Sequence, residues 1–386
     1  MLQADSQYTK LRWLLTLVGL FFYVVDIGTD VALALTYLQQ EQYVWTGLTV
    51  LFVLAGLFVT QTFSYVWYRD DMKDVAQKPE EKTTISSMST GGLAALHLFG
   101  MGIFTRYFLL LKDAFSVVWT KSNFYTQEEI REVNHRLFCQ ATDLSMLKLF
   151  EAFLESVPQL LLQLYIVLSL DECSFMQYLS MAFSFFNIAW SLVDYRRCLR
   201  RSLPHIGEMP SGIPTIIYLL YKFCTITSHI FSYTLLLILS TYSTVAITLM
   251  WLFWTTWAHF LRTDFCSSRG LELLYRAVVG VILTFTFFNV KGQDTRVAMT
   301  LYYMFYSLVN VSAPLLLSLL GPELQTVTFL LTVSAIIYGG LLLGLVCLVL
   351  FYLLLHPREK CREADEVDGL EGETQTTRRI RNFLQP

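Results

Sequence analysis

The chain has 386 residues, 54% of them hydrophobic and 15% charged, and it contains several apolar runs that meet the roughly 20 helical residues a bilayer requires. That composition describes an all-α polytopic membrane protein, and a formal charge of −3 leaves no basic excess for a nucleic-acid partner. Seven cysteines (Cys139, Cys173, Cys198, Cys224, Cys266, Cys347 and Cys361) are scattered without a CxxC pair, so neither a zinc site nor a disulfide framework is expected. No HExxH, P-loop, GxSxG or EF-hand pattern occurs, and no metal, cofactor or enzymatic chemistry is expected.

Ten hydrophobic segments can be marked, at 13–38, 43–68, 93–119, 143–170, 174–194, 213–239, 243–262, 271–290, 298–319 and 327–355. The apolar run that follows MLQADSQYTKLRWLL is a full-length span without a clear small-residue cleavage site, so it is expected to be retained. Within it Asp26 and Asp30 lie one helical turn apart on the face of Thr16, Gly19, Tyr23, Ala34 and Tyr37. Two carboxylates at that spacing repel, so a cation, a proton or water should sit nearby; Arg106, Lys148 and Lys222 are the candidates. The third segment carries His97, Arg106, Lys112 and Asp113.

The fourth segment, DLSMLKLFEAFLESVPQLLLQ from Asp143 to Gln163, places charge where an apolar helix should have none. At about 100° per residue, Ser145, Lys148, Glu151, Glu155, Gln159 and Gln163 fall on one arc of the helix. An ionisable group at membrane depth costs about 2.5–3.5 kcal/mol on insertion scales, so such groups face a bundle interior or a watery cavity. A stripe of this kind is a functional-site hypothesis; the alternative is a buried ion pair of Lys148 with Glu151 or Glu155 that serves packing alone. In the fifth segment Ser180, Ser184, Asn187, Ser191 and Asp194 also share a face, so three helices of the first half carry polar stripes. The later segments are aliphatic and aromatic apart from Lys222, His229 and His259, and Asn310-Val311-Ser312 lies inside an apolar run where glycosylation is not expected.

Loop charge sorts the crossings, because Lys and Arg accumulate on the cytoplasmic side. The 69–92 link holds Arg69, Lys73, Lys78 and Lys82, and the 195–212 link holds Arg196, Arg197, Arg200 and Arg201, whereas the 39–42, 171–173, 240–242 and 320–326 links hold none. Ten simple crossings would put the four-arginine link outside. The pattern is consistent if the third and eighth segments are re-entrant or partly embedded, which gives eight crossings with both termini cytoplasmic. The expected organisation is then an N-terminal membrane half at 1–194, a basic linker at 195–212, a C-terminal membrane half at 213–355 and a cytoplasmic tail at 356–386, with the halves as pseudo-repeats.

After His356-Pro357 the composition turns acidic, Gly- and Thr-containing, as in an exposed connection. Within it Asp365-Glu366-Val367-Asp368-Gly369 matches an executioner-caspase substrate cut after Asp368; a solvated acidic patch is the alternative. Arg378, Arg379, Ile380, Arg381, Phe383 and Leu384 then form a basic-apolar terminal piece suited to docking on the protein or on anionic headgroups.

Taken together, the Asp26/Asp30 pair, TDLSMLKLFEAFLESVPQL at 142–160, NIAWSLVDY from Asn187, LYRAVVGVILTFTFFNVKGQDT at 274–295 and the tail site resemble the XK-related proteins over nearly the whole chain. The resemblance implies a plasma-membrane phospholipid scramblase that exposes phosphatidylserine once apoptotic caspases remove the tail. It implies that intramembrane acidic residues matter, with Asp26, Asp30, Glu151 and Glu155 at matching positions and Asp143 and Asp194 alongside them. Arg106, Lys148 and Gln159 complete the candidate polar path. An accessory single-span glycoprotein serves some relatives but is not required by anything in this sequence. A channel or transporter using the same carboxylates, or a membrane scaffold for a transporter, is the rival expectation.

Overall fold

The computed structural model describes residues 8–77, 90–119, 127–170, 175–202, 212–263, 265–266, 268–290, 296–324 and 326–355. Among these residues the chain is helical, with no strand. The helices are α1 (Lys10–Gln39), α2 (Tyr43–Gln77), α3 (Thr90–Leu98), α4 (Gly102–Trp119), α5 (Gln127–Glu151), α6 (Val157–Leu170), α7 (Phe175–Ser202), α8 (Ile213–Leu239), α9 (Ser243–Phe260), α10 (Arg269–Phe285), α11 (Arg296–Leu320) and α12 (Val327–Leu350). A π-helical turn, Ala152–Ser156, joins α5 to α6, and a second, Phe351–Leu355, extends α12. Local chemistry starts several of these helices: the Thr9, Ser268 and Thr326 hydroxyls accept the free amides of Arg12, Leu271 and Phe329.

Among the described residues, six helical stretches are long and apolar enough to cross a membrane: α1, α2 to Met72, Glu132–Ser169, α8, α11 and Val327–Leu355. A seventh is reached if α3 and α4, bent by 114° at a short break, count as one span. The bend sits in the third hydrophobic segment, where loop charge calls for an element that enters without simply crossing. Of the rest, α7 interleaves Gln177, Ser180, Ser184 and Asn187 with its apolar residues, α9 mixes Thr and Trp through its 18 residues, and α10 has 17 residues and includes Glu272 and Arg276. Large apolar side chains on α1, α2, α9, α11 and α12 point outward, among them Phe21, Phe58, Phe253, Leu319 and Leu342. Lipid tails would meet that surface.

The chain forms two compact units whose boundary falls within the long fourth segment, between Glu151 and Ala152. One unit holds α1–α5 and α7 from Asp194 onward; α2 and α4 each pack on α1 and α5, and Phe63 meets Phe150 at 5.3 Å between ring centroids. The other holds α6, α7 as far as Val193, and α8–α12. Its central element is α8, which packs on α6 and on α9 to α12. The tyrosines of this second unit, Tyr218, Tyr221, Tyr302, Tyr303 and Tyr306, are buried together, with Tyr221 and Tyr303 hydrogen-bonded through their hydroxyls.

Glycine lets α12 approach α8. A Cβ at Gly344 would lie 2.7 Å from Thr225 Cγ2 and one at Gly340 would lie 2.4 Å from Ser228 Oγ, so this four-residue spacing acts as a small-residue helix contact. Gly344→Val is expected to lower stability by about 1–3 kcal/mol, the usual cost of overpacking. Gly339→Ala, whose Cβ would meet nothing within 4 Å, should be tolerated. Thermal unfolding of the two variants in detergent checks the contrast.

Candidate functional site

The site is built on α2. Its apolar sequence is interrupted by Thr60, Gln61 and Ser64, all buried. A bent helix exposes backbone groups that hydrocarbon cannot satisfy, and Gln61 answers both at the α3–α4 break. Its Nε2 donates to Gly100 O at 3.0 Å, and its Oε1 accepts from Gly102 N at 3.0 Å. Gly100 has φ +74°, a conformation that favours glycine, while a Cβ at Gly102 would lie 2.4 Å from Gln61 Oε1. Gln61→Leu should cost about 2–4 kcal/mol, since it strands two backbone groups at about 1–3 kcal/mol apiece, part of which relaxation recovers. A lower unfolding midpoint checks this.

One turn beyond Gln61, Ser64 binds the cation of α4. Arg106 Nε donates to Ser64 Oγ at 3.0 Å, Nη2 donates to Ser64 O at 3.2 Å, and Nη1 reaches Asp143 Oδ2 of α5 at 3.3 Å. The guanidinium carbon stands 4.0 Å from the Tyr68 ring centroid and 5.7 Å from that of Trp67. Arg106 is 7% exposed and Asp143 1%, so the pair is dry. A charge at that depth is tolerated because most of its donors have protein acceptors.

A second charged group lies on α5 and α1. Lys148 and Glu151 form an ion pair through Nζ and Oε2, and the Lys148 ammonium sits 4.7 Å from the Tyr23 ring centroid. Asp26 interacts electrostatically with both members, so the cation called for beside the Asp26/Asp30 pair is Lys148. Asp30 is buried on the same helix. Tyr107 of α4 stacks on Tyr23 at 6.0 Å and packs tightly over Gly19, whose Cβ would lie 3.1 Å from the Tyr107 hydroxyl. Tyr107 lies within electrostatic reach of Lys148, Glu151, Asp194 and Cys198. Asp194 accepts from Cys198 Sγ at 3.9 Å and interacts with Arg12 and Arg197. Nearby, the Tyr8 amide donates to Asn134 Oδ1 at 2.9 Å, and burial pushes the Tyr8 phenol up to about 12.

The structure therefore gathers Lys148, Glu151 and Asp194 around Tyr107, sets Asp26 against the Lys148–Glu151 pair, and pairs Arg106 with Asp143, all within the first compact unit. Glu155, within the π turn, and Gln159 and Gln163 beyond it are buried as well, but they belong to the second unit. The third candidate cation, Lys222, donates to Thr286 Oγ1 and Phe287 O, both at 2.9 Å, and so holds the C-terminal end of α10. Asn310 is fully buried and bonded to Ser232, His229 and the Tyr306 carbonyl, which leaves it inaccessible as an acceptor for sugar. The caspase-type residues Asp365, Glu366, Val367, Asp368 and Gly369, and the tail residues Arg378, Arg379, Ile380, Arg381, Phe383 and Leu384, lie outside the described residues.

Gln61, Ser64, Tyr68, Tyr107 and Cys198 belong to the site without having been singled out by charge in the sequence. The available signal was the spacing of Thr60, Ser64 and Tyr68, which places small polar groups and a phenol along one face of an otherwise apolar span.

Comparison with known proteins follows the same chain. A family profile described as XK-related protein matches residues 14–357. The chain is 59% identical over 381 residues to XK-related protein 9 of Tetraodon nigroviridis, covering 99% of this chain and 100% of that one. It is 29% identical over 377 residues to XK-related protein 8 of the same fish, covering 97% and 91%. It is 30% identical over 361 residues to XK-related protein 8 of Gasterosteus aculeatus, covering 92% and 86%.

Proposed function

Because the chain belongs to the XK-related family, we propose that it is a phospholipid scramblase of the plasma membrane, which exposes phosphatidylserine during apoptosis after an executioner caspase removes its C-terminal tail. Eight crossings in two related halves, with both termini cytoplasmic and α3–α4 and α10 only partly embedded, complete the reading. An accessory single-span glycoprotein can accompany the chain, although its sequence does not require one.

The observation that carries the proposal is the buried charge of the first unit, Asp26 beside the Lys148–Glu151 pair and Asp143 beside Arg106. A phospholipid headgroup crossing hydrocarbon loses its water with nothing to replace it, and that desolvation is the barrier to flip-flop. Alternating carboxylates, cations and tyrosine hydroxyls along membrane-embedded helices offer replacement partners to both the phosphate and the amine of a headgroup, while the acyl chains remain in lipid. No energy source is needed, because the existing lipid asymmetry gives direction. In this conformation the charges are satisfied by one another, which describes a resting state; activity requires the pairs to open toward headgroups and water.

The same carboxylates would suit a cation path, so the test measures both processes in one preparation. In liposomes containing the caspase-cut chain, dithionite should reach fluorescent lipids that began in the inner leaflet, with no selective cation flux. Cation flux without lipid exchange would assign the charges to a channel or transporter instead.

A further inference from the structure

The α3–α4 bend and the Arg106 charge are joined by a hydrogen-bond chain whose direction can be deduced. His97 Nδ1 lies 2.9 Å from Leu93 O, which can only accept, so Nδ1 carries the proton. Its Nε2, 3.0 Å from Ser64 Oγ, is then the acceptor of the neutral ring and takes the Ser64 hydroxyl proton. Ser64 Oγ in turn accepts from Arg106 Nε at 3.0 Å. The chain runs from guanidinium to hydroxyl to imidazole to carbonyl, and each proton is used once. The ring is also wedged against the start of α4, since a Cβ at Gly102 would lie 2.6 Å from His97 Cδ2.

We propose that His97 is a proton-responsive latch that positions Arg106 against Asp143 and holds the bend in the conformation described. A second proton can enter only at Nε2, and it reverses the donor at that end of the chain. Ser64 Oγ then faces two cationic donors, the imidazolium and the guanidinium, while its own proton loses its acceptor. Among the described residues, the groups around the ring supply no compensating charge there. Tyr65 and Tyr68 of α2 present their rings edge-on at 5.7 and 5.6 Å, Arg106 of α4 is itself a cation, and Asp143 of α5 is engaged with Arg106. Protonation therefore loosens the grip of Ser64 on Arg106 and the first turn of α4, leaving the break to the Gln61 clasp and to the backbone bonds of Gly100 N to His97 O and Met101 N to Leu96 O. This device stands apart from the lipid-scrambling reading and does not depend on it.

Amide hydrogen exchange on the full-length chain in nanodiscs tests it. Peptides covering the first turns of α4, corrected for intrinsic exchange chemistry, are compared at about pH 7.5 and about pH 5, either side of the ordinary histidine range. The native chain should lose about tenfold in protection there at the lower pH, with peptides from α8 unchanged. His97→Gln, uncharged throughout, should abolish the pH dependence. Ser64→Ala, which removes the contested hydroxyl, should exchange faster already at the higher pH and respond less to acid, and it serves if the glutamine variant does not fold. Equal protection of the native chain at both pH values, or an undiminished pH response in either variant, would overturn the latch. Lipid movement is not measured, so that result is distinct from any failure to scramble.

Discussion

Asp368→Ala should leave the protein folded and at the cell surface yet silent after caspase activation, a complete loss of triggered phosphatidylserine exposure. Caspases require aspartate before the scissile bond, and Asp365-Glu366-Val367-Asp368-Gly369 supplies an acid at the first and fourth positions with glycine following. The cut would separate the basic-apolar piece containing Arg378, Arg379, Ile380, Arg381, Phe383 and Leu384 from the membrane helices. While tethered, such a piece acts at an effective concentration in the millimolar range; once released it dilutes into the cytosol, and a weak docking contact is lost without any change in its intrinsic affinity. Annexin binding on cells expressing the native and Asp368→Ala chains, with caspase activation verified by an independent substrate, gives the readout. Undiminished exposure in the variant would show that the tail cut is not the trigger.

Glu151→Gln should be the most damaging single change in the first unit. It leaves the Lys148 ammonium at membrane depth without its ion-pair partner, beside Asp26, Tyr107 and the Tyr23 ring, and removing one member of a buried pair costs about 3–5 kcal/mol. The double variant Lys148→Met with Glu151→Gln removes the stranded charge as well, so it should recover most of the lost thermal stability. Scrambling should not recover with it, because the headgroup would then meet methionine and amide in place of an ion pair. This separation distinguishes the two readings of the stripe. If the double variant restores lipid movement along with stability, the pair is a packing device.

The parts of this structure that were legible from sequence are those governed by charge in an apolar context. Lys148 stood out as a cation in an apolar helix with Glu151 and Glu155 as the partners within reach on the same segment. The Asp26/Asp30 repulsion called for a cation, a proton or water, and Lys148 is a cation that acts on Asp26. The bent third segment was legible through its ionisable residues and the loop charges on either side. Other features depend on contacts between residues far apart in the chain. Arg106 meets Asp143 across 37 positions and Gln61 meets Gly102 across 41, and neither spacing leaves a periodic trace. Gln61 and Ser64 are uncharged, so in a span that also contains Thr60 they read as incidental polarity, although they satisfy the backbone at the break and the guanidinium beside it. The π turn at Ala152–Ser156 was hidden for another reason: AFLES has no distinguishing composition that would mark a departure from regular helical spacing.

The central claim is that the chain moves phospholipid by itself once its tail is cut. The most direct measurement is dithionite bleaching of fluorescent phospholipid in liposomes containing the purified protein alone, intact or cut by caspase. The account predicts that intact protein permits bleaching of the outer leaflet only, while the cut protein opens both leaflets to the reductant. Bleaching confined to the outer leaflet by a correctly folded, fully cut protein would contradict it.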